Sequence, residues 1–394
     1  MKVIEGKYNR AVVFTDNIES KAALQIEELC NQRFVSGSHI RIMPDTHAGA
    51  GCTIGTTMTI QDKVVPNLVG VDIGCGMHVS HLKKMKVDFA RLDRVIRELV
   101  PSGFAVREKP HDYNASVDLN RLRCKQQMNL ERARLSIGTL GGGNHFIELN
   151  VDDEDELYLV IHSGSRYLGK QIAEHYQDRA AREINHEINQ KIIARLKAEG
   201  REKEIQGELK AAKEGINKAL AYLEGTAFEE YVNDMRIAQH YAEYNRKAIA
   251  EVIIREMGFH VDGSFSTIHN YIDLDAMILR KGAISAKTGE TVIIPINMRD
   301  GSIIAVGKGN EDWNQSAPHG AGRLMSRKQA RQFISLDEFQ ESMTGIYTTS
   351  VSGDTLDEAP LAYKPMDEII ANMKPTVEIH KVIRPLYNFK ASGD

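Results

Sequence analysis

Apolar and polar positions along the chain follow two patterns, short runs and helical spacing, and the two predict different elements. Residues 10–14 form a short apolar run that predicts a strand, and residues 18–34 predict a helix. Residues 41–60 begin apolar, pass through a Pro-Asp turn and several small residues, and end in a Thr-rich run typical of a strand. Residues 64–71 are a second apolar run, which we interpret as a buried strand that ends in a glycine turn.

Helical spacing dominates the middle of the chain. Apolar residues within 86–100 fall mostly on one face and predict an amphipathic surface helix. A long helical section follows at about 166–258, in which Gly200 is placed to end one helix. The apolar positions that recur at helical spacing before and after this glycine are Ile184, Ile188, Ile192, Leu196, Ile205, Leu209, Ala212, Ile216 and Leu220. Charged residues fill the other faces, so we predict a helical hairpin with one solvated side.

Glycine-turn β segments lie on both sides of these helices. Residues 136–150 and 157–165 each combine a strand pattern with a small-residue turn, whereas residues 101–135 are polar and basic. The chain returns to short β runs after Gly263, and no segment repeats at a period of 20–50 residues. We therefore predict an α+β fold: one compact domain over residues 1–394, built of several mixed β-sheets, with a helical insertion at about 170–258.

Composition narrows the class of protein. The chain has 394 residues, of which 42% are hydrophobic, so a sizeable core can form. A net charge of −4 gives no global basic field for nucleic acid, although a local basic groove remains compatible with it. Four cysteines without a C-x-x-C pair are typical of a reducing compartment. The N-terminus lacks a secretory h-region and no apolar run approaches ~20 residues, so we expect a cytoplasmic protein without membrane association.

One glycine turn carries two side chains that bind metals. Asp72 and Cys75 stand three residues apart in the sequence LVGVDIGCGM, residues 68–77. Both can bind a cation as anions, and the surrounding glycines permit close backbone approach. The alternative is a turn with a structural cysteine, which is the commoner role of a lone buried thiol.

Five of the fourteen histidines lie at a strand end or in a small-residue turn, where catalytic side chains are usually presented: His47, His145, His162, His269 and His319. Asp72, Cys75, His145, His162 and His269 make a ligand set that exceeds one tetrahedral site. We therefore predict two metal ions that share a bridging ligand, most naturally Cys75, as suits phosphoryl transfer. Thiolate favours Zn²⁺, while carboxylate and imidazole also admit Mn²⁺, and spacing does not choose between them.

The histidine in APHGAGR, residues 317–323, has a different context. His319 is followed by Gly320, Ala321 and Gly322, and Arg323 is close enough to meet an anion. A neutral imidazole in such an open place can attack phosphorus and form a phosphoramidate. A general acid or a simple turn histidine are the alternatives. We reject a P-loop at Gly164–Lys170, because Gln171 stands where Mg²⁺ binding needs Ser or Thr.

Taken together, these motifs resemble the RtcB family of RNA ligases over nearly the whole chain. The segments that carry the resemblance are, in order, MPDTHAGAGCTIG, VGVDIGCGM, LGGGNHFIE, IHSGSR, EGTAFEEYVNDMRIAQHYAEYNR, RKGAISA and HGAGRLMSR. Several are long and rich in unusual residues, so the match is specific. The resemblance implies an RtcB-like α+β fold and a GTP- and Mn²⁺-dependent ligase with two metal ions. Its substrates would be RNA with a 3′-phosphate or 2′,3′-cyclic phosphate end and RNA with a 5′-hydroxyl end, in RNA repair or tRNA splicing.

The family's functional residues carry over onto specific positions of this chain. His319 corresponds to the guanylylated histidine, Asp45 is similar to an acidic residue that could orient its ring, and we place Arg323 with them as catalytic. The metal ligands map onto the same five residues proposed above. The implied guanylate contacts are Asn144, His145, Phe146, Ile147, Glu148, His269, Asn270, Pro295, Ile296, Asn297, Met298, Ser302, His319, Gly320, Ala321, Gly322 and Lys390. The sequence identifies no accessory protein.

Two departures from the family pattern concern the nucleotide rather than the reaction. Ile296 and Asn297 stand where the family commonly has Gly and Ser, and Pro318 replaces the usual Ser before the histidine. We interpret them as marks of a divergent branch with its own RNA target. Two rival classes remain: a two-metal phosphohydrolase that needs neither His319 nor GTP, and an RNA-binding protein that has lost catalysis.

Overall fold

A computed structural model describes residues 1–214 and 217–391 of the chain as a mixture of helices and β-sheets. The strands are β1 (Lys2–Glu5), β2 (Arg10–Val13), β3 (Ile40–His47), β4 (Ile54–Thr59), β5 (Lys63–Val64), β6 (Gly76–Leu82), β7 (Phe146–Val151), β8 (Leu157–Ser163), β9 (Leu223–Glu224), β10 (Val261–Ile268), β11 (Asn270–Asp273), β12 (Ile278–Lys281), β13 (Ala283–Ser285), β14 (Thr291–Asn297), β15 (Gly301–Gly307), β16 (Ser316–Pro318), β17 (Tyr347–Thr348) and β18 (Val377–Lys390). The α-helices are α1 (Ser20–Cys30), α2 (Pro66–Val69), α3 (Phe89–Leu99), α4 (Leu130–Ser136), α5 (Arg166–Ala198), α6 (Ile205–Glu214), α7 (Gly225–Met257), α8 (Arg327–Phe333), α9 (Leu336–Ser342) and α10 (Met366–Met373).

Two large sheets organise the body. The first has six strands in the order β1-β2-β3-β4-β12-β11. The second has the order β10-β6-β8-β7-β18-β15-β14, with β17 paired to β18. Small two-stranded sheets are formed by β13 with β16 and by β5 with β9. This mixture of largely antiparallel sheets and helices confirms the predicted α+β class.

Apolar side chains of both sheets are buried against helices. One cluster joins the first sheet to α1, α2, α5 and α7, and includes Ile42, Ile172 and Tyr231. A second cluster packs β7 and β8 against α3 and α7, with Leu149 and Ile253 among its fully buried members. Each buried aliphatic side chain contributes roughly 1.5–3 kcal/mol relative to exposure, so these clusters fix how the strand ends are placed.

Several predicted elements are confirmed and one is wrong. The strand at residues 10–14, the helices within 18–34 and 86–100, and the glycine turn before β7 all form. Residues 64–71 are not one strand: Pro66 fixes its own φ and begins the short helix α2, which ends at Gly70 with a φ of 100°. The 14-residue strand β18 has no counterpart in the sequence prediction.

The helical section consists of α5, α6 and α7. Residues 181–195 of α5 are half-buried or exposed, and α6 turns back along them with Arg195 Nη2 3.0 Å from a carboxylate oxygen of Glu208. Helix α7, in contrast, is buried along much of its length. Ile216 of the predicted second helix lies outside the described residues. That this section is an insertion within one domain stays a prediction.

Within the described ranges, every helix is too short or too polar to span a bilayer.

Candidate active site

Sheet topology brings four of the predicted metal ligands to the same end of neighbouring strands in the second sheet. Cys75 immediately precedes β6, His145 immediately precedes β7, and His162 lies near the end of β8. Because β8 runs antiparallel to both neighbours, its end meets their beginnings: His162 is in register with Met77 and with Phe146. Strand β10 ends beside Gly76, so His269 leaves the sheet at the same edge.

The five predicted ligands form two overlapping groups. Cys75, His162 and His269 make one group, and Asp72, Cys75 and His145 make the other; within each, one ligand atom from every residue lies within 4.8 Å of the others. Cys75 Sγ is 3.4 Å from Nε2 of His145 and 3.4 Å from Nε2 of His162. The thiol therefore stands between the groups, as a ligand shared by two cations would.

Backbone carbonyls orient two of the imidazoles. His145 Nδ1 donates to the Leu140 carbonyl at 2.9 Å, and His162 Nδ1 donates to the Asn144 carbonyl at 3.2 Å. Each ring therefore directs its Nε2 toward Cys75 Sγ. Metal-ligating histidines are usually held in this way through the second nitrogen.

The ionisation states of the group suit a cation. Burial lowers the pKa of His162 and of His269 well below the ordinary value, so both imidazoles are neutral. Burial alone would raise the pKa of Asp72, but the hydrogen bond and charge of His145 outweigh it and the carboxyl stays ionised. Burial and the Asp72 charge raise the pKa of the Cys75 thiol well above its usual range. A bound divalent ion would reverse that last effect, since it stabilises the thiolate, so the residues fit a metal centre.

Helix α7 and strand β11 hold these ligand loops through polar side chains. The Asn245 carboxamide donates to Gly164 and accepts from the backbone of residues 138 and 139. Arg246 is fully buried and donates to the carbonyls of Gly74 at 2.8 Å and Ser163 at 2.9 Å. Asn270 donates to the Asp72 carbonyl at 3.1 Å. The loops that carry Asp72, Cys75, His145 and His162 are thus braced by three residues.

His319 is held beside this group by a buried carboxylate. It follows β16, and its Nδ1 lies 2.6 Å from Oδ2 of Asp45, which is itself fully buried on β3. The imidazole therefore donates from Nδ1 and leaves Nε2 as its basic nitrogen. The His319 ring lies 4.8 Å from the ring of His269, centroid to centroid. A Cβ on Gly322, at a φ of 73°, would come within 2.3 Å of the Asp45 backbone, so this approach requires glycine.

A cavity of about 470 Å³ opens in front of His319 and His162. That volume is typical of a site for a nucleotide-sized ligand. The predicted nucleotide residues that line it are Asn144, Phe146, Glu148, Pro295, Ile296, Asn297, Met298, Gly320, Ala321, Gly322 and Lys390, together with Arg323. The other lining residues are His47, Ala48, Ile54, Ser326, Arg327, Glu358 and Tyr363.

The cavity contains two acidic groups in different states. Glu358 accepts from the Tyr363 hydroxyl at 2.7 Å and is paired with Lys390 and Arg327; although burial opposes ionisation, these cations lower its pKa to about 2. Glu148 accepts from the Asn388 side chain at 2.6 Å, but burial raises its pKa from 4.5 to about 7. One carboxylate is therefore permanently charged and the other titrates near neutral pH.

The remaining predicted nucleotide residues lie elsewhere. His145 and His269 belong to the five predicted metal ligands, which we call the metal group (Asp72, Cys75, His145, His162 and His269). Asn270 braces the Asp72 turn. Ile147 packs in the hydrophobic cluster behind β7, and Ser302 is fully buried on β15. Contact between these residues and a nucleotide stays a prediction.

Several residues at the site have no strong signal in the sequence. Glu358 and Tyr363 come from a segment about 40 residues after His319, and only the fold brings them to the cavity. Asn245 and Arg246 lie inside a helical pattern where polar residues usually face solvent; two adjacent polar residues on a face that is otherwise buried are the signal that could reveal them. His47 is the fifth histidine singled out from the sequence, and it lines the cavity with Nδ1 3.0 Å from the Asp45 carbonyl.

Comparison with known proteins agrees with this geometry. The model of the family described as "tRNA-splicing ligase RtcB" matches residues 25–128 and 108–391. The RNA-splicing ligase RtcB of Escherichia coli (strain K12) is 30% identical over 406 residues, covering 93% of each chain. RNA-splicing ligase RtcB2 of another Escherichia coli strain is 28% identical over 98% of this chain and 99% of its own. The tRNA-splicing ligase RtcB of Nanoarchaeum equitans is 25% identical over 84% of this chain and 83% of its own.

The family model covers most of the chain. His162, one of the five predicted metal ligands, lines the same cavity as His319. The chain belongs to the RtcB family.

Proposed function

We propose that this protein is a GTP- and Mn²⁺-dependent RNA ligase that joins RNA 3′-phosphate or 2′,3′-cyclic phosphate ends to 5′-hydroxyl ends. The observation that carries the proposal is the position of His319, whose Nδ1 is held by Asp45 while its ring contacts His269 of the metal group at the cavity. The rival phosphohydrolase would use the same metal group but would not need His319 as a nucleophile, the role that its open position and carboxylate-held ring support here.

The chain's residues account for each transfer. His319 Nε2 attacks the α-phosphorus of GTP, so an N–P bond forms while the P–O bond to pyrophosphate breaks. Asp45 stabilises the positive charge that develops on the ring and holds its orientation. An RNA 3′-phosphate oxygen then attacks the phosphorus of the histidine-bound GMP, so a P–O bond forms while the N–P bond to His319 breaks. The 5′-hydroxyl attacks the phosphorus of the former 3′-phosphate, loses its proton and displaces GMP. A 2′,3′-cyclic phosphate is first opened by water, whose oxygen bonds to phosphorus while the P–O2′ bond breaks, to give the 3′-phosphate. The joint keeps the phosphorus of the 3′ end.

Asp72, Cys75, His145, His162 and His269 would hold two Mn²⁺ ions, with Cys75 between them. Bound cations supply charge neutralisation for the phosphate oxygens. The thiolate would equally accept Zn²⁺, so metal identity is part of the test. Arg166 Nη1, 3.3 Å from His145 Nδ1, adds a fixed positive charge at the rim of this group.

The experiment is covalent labelling with α-³²P-GTP and Mn²⁺, followed by RNA joining. We expect an acid-labile, alkali-stable label that is lost in His319→Ala and kept in the matched control His260→Ala, a solvent-exposed histidine. With ³²P on the 3′-terminal phosphate, the label should become resistant to phosphatase once it lies in the joint. Label released as free phosphate, without labelled protein, would identify the phosphohydrolase instead.

A further inference from the structure

Two exposed aromatic side chains lie on segments that are connected to the turns of the metal group. Phe104 is 73% exposed and Tyr167 is 46% exposed. Arg132 connects them: its Nη2 donates to the Phe104 carbonyl at 2.7 Å, and its guanidinium lies 5.9 Å from the centre of the Tyr167 ring. We call Phe104, Arg132 and Tyr167 the aromatic platform. Large exposed aromatic rings beside a cation are typical of surfaces that bind nucleobases.

The platform is fixed relative to the metal ligands. Gly103 donates its backbone N–H to the Gly141 carbonyl at 3.0 Å, and Leu140 donates to the Pro101 carbonyl at 2.9 Å. These bonds attach the Phe104 loop to the turn that leads into His145. The platform therefore cannot move without the turn that positions a predicted ligand.

Arg166 links the platform to the metal group. It immediately precedes Tyr167, its Nη2 is 3.5 Å from the Gly103 carbonyl, and its Nη1 is 3.3 Å from His145 Nδ1. Arg166 thus lies at the side of His145 that is turned away from Cys75, and its positive charge still acts on Asp72 of the metal group. Its other side contacts the platform loop. Phosphate at one end and a base at the other is the arrangement of a single nucleotide.

The local charge is also that of a nucleic-acid surface. The segment 101–135, which supplies Phe104 and Arg132, contains seven Lys and Arg against four Asp and Glu, although the whole chain carries a net charge of −4. Basic residues around exposed aromatic rings attract a phosphate backbone while the rings accept any base.

We infer that the aromatic platform stacks the terminal unpaired base of the RNA strand whose 3′-phosphate occupies the metal group, an inference that rests on the proposed ligase function. The 3′-terminal nucleotide carries base and phosphate on one sugar, so a phosphate beside Arg166 leaves its base within reach of Tyr167 and Phe104. Stacking requires that one face of the base is unstacked, but it forms no hydrogen bonds to the base edge that would distinguish one base from another. The platform therefore favours unpaired ends without selecting their sequence.

The experiment measures fluorescence anisotropy of a labelled single-stranded RNA that ends in a 3′-phosphate, together with the steady-state kinetics of its joining. The Phe104→Ala/Tyr167→Ala double variant should bind this RNA about tenfold more weakly and raise its KM by a similar factor, while Tyr167→Phe binds normally. Covalent labelling by GTP should be unchanged. Tyr8→Ala is the matched control, since Tyr8 is 40% exposed beside Lys7.

A second arm replaces the 3′-terminal base by an abasic residue. The wild type should then lose about tenfold in affinity, and the double variant should lose nothing further, because the stacking partner is already absent. Equal RNA binding by wild type and double variant, or equal losses from the abasic residue in both, would overturn the platform. RNA that binds in this manner but is never joined would overturn the ligase proposal and leave the platform standing. If the wild type does not bind the RNA, the platform is refuted directly.

Discussion

The buried carboxylate of Glu148 makes the proposed GTP preference depend on pH. Its pKa is raised from 4.5 to about 7 by burial, a shift that corresponds to about 3 kcal/mol by which the folded site disfavours the ionised form. Guanine presents N1–H and N2–H donors on one edge, which pair with a carboxylate, whereas adenine has no such pair of donors there. GTP binding should therefore require ionised Glu148.

The expected size follows from this pKa. At pH 8 the carboxyl is mostly ionised, and at pH 6 it is about 90% protonated, so GTP should bind about tenfold more weakly at pH 6. The stability of the nucleotide-free protein depends on pH in the opposite direction, since it falls as the pH rises. The protonated form is favoured by the fold, so the stability contribution of Glu148 is fully present below pH 4.5 and is lost as the pH rises through about 7.

The assay compares His319 labelling by GTP and by ATP between pH 6 and 8. The ratio of labelling by the two nucleotides cancels every pH effect that acts equally on both reactions. In the wild type the GTP:ATP ratio should rise about tenfold with pH, and in Glu148→Gln it should be lower and flat. Glu154→Gln is the matched control, because Glu154 is exposed in the turn between β7 and β8. Chemical denaturation at pH 8 should also show Glu148→Gln more stable than the wild type by up to about 3 kcal/mol.

A flat wild-type ratio would refute the role of Glu148 as the group that reads guanine, and so would an unchanged ratio in Glu148→Gln.

Further predictions concern the nucleophile, the metals and the altered nucleotide loop. Asp45→Asn should keep its metals and fold but reduce covalent labelling by up to about 10⁴-fold, because the amide can hold the wrong tautomer; labelling within tenfold of wild type would contradict this. Cys75→Ala should lose both metal ions by elemental analysis and His162→Ala mainly one, and unchanged stoichiometry in Cys75→Ala would exclude the bridge. The pair Ile296→Gly with Asn297→Ser should widen the margin of GTP over ATP in labelling, whereas an unchanged margin would show that this loop does not read the base.

The predicted metal ligands could be singled out in the sequence because most of them lie at strand ends or in glycine turns, and the structure places them close together. The glycine turn before Phe146 signals that His145 precedes a strand, whereas strand β6, which follows Cys75, has no counterpart in the sequence prediction. The antiparallel pairing of β6, β8 and β7 brings these strand ends together. Local spacing predicts turns and strand ends, whereas the order in which β6, β8 and β7 pair is set by the fold.

The cavity wall is harder to predict because it is assembled from distant segments. Glu358 comes from a segment with no periodic pattern, and its pairing with Lys390 and Arg327 depends on how β18 and α8 pack. The strand predicted at residues 64–71 does not form, because Pro66 favours the start of a helix within this apolar run. Short apolar runs do not distinguish a buried strand from a buried turn of helix.

His269 is the single residue between β10 of the second sheet and β11 of the first, and its carbonyl accepts from Ala283 on the small sheet that leads to His319. A cation held by His269, Cys75 and His162 would therefore act as a cross-link between independently hydrogen-bonded parts of the protein. Such a cross-link makes their unfolding cooperative. Removing the metal should separate one calorimetric transition into two, with the part that carries the nucleophile released from the part that carries the ligands.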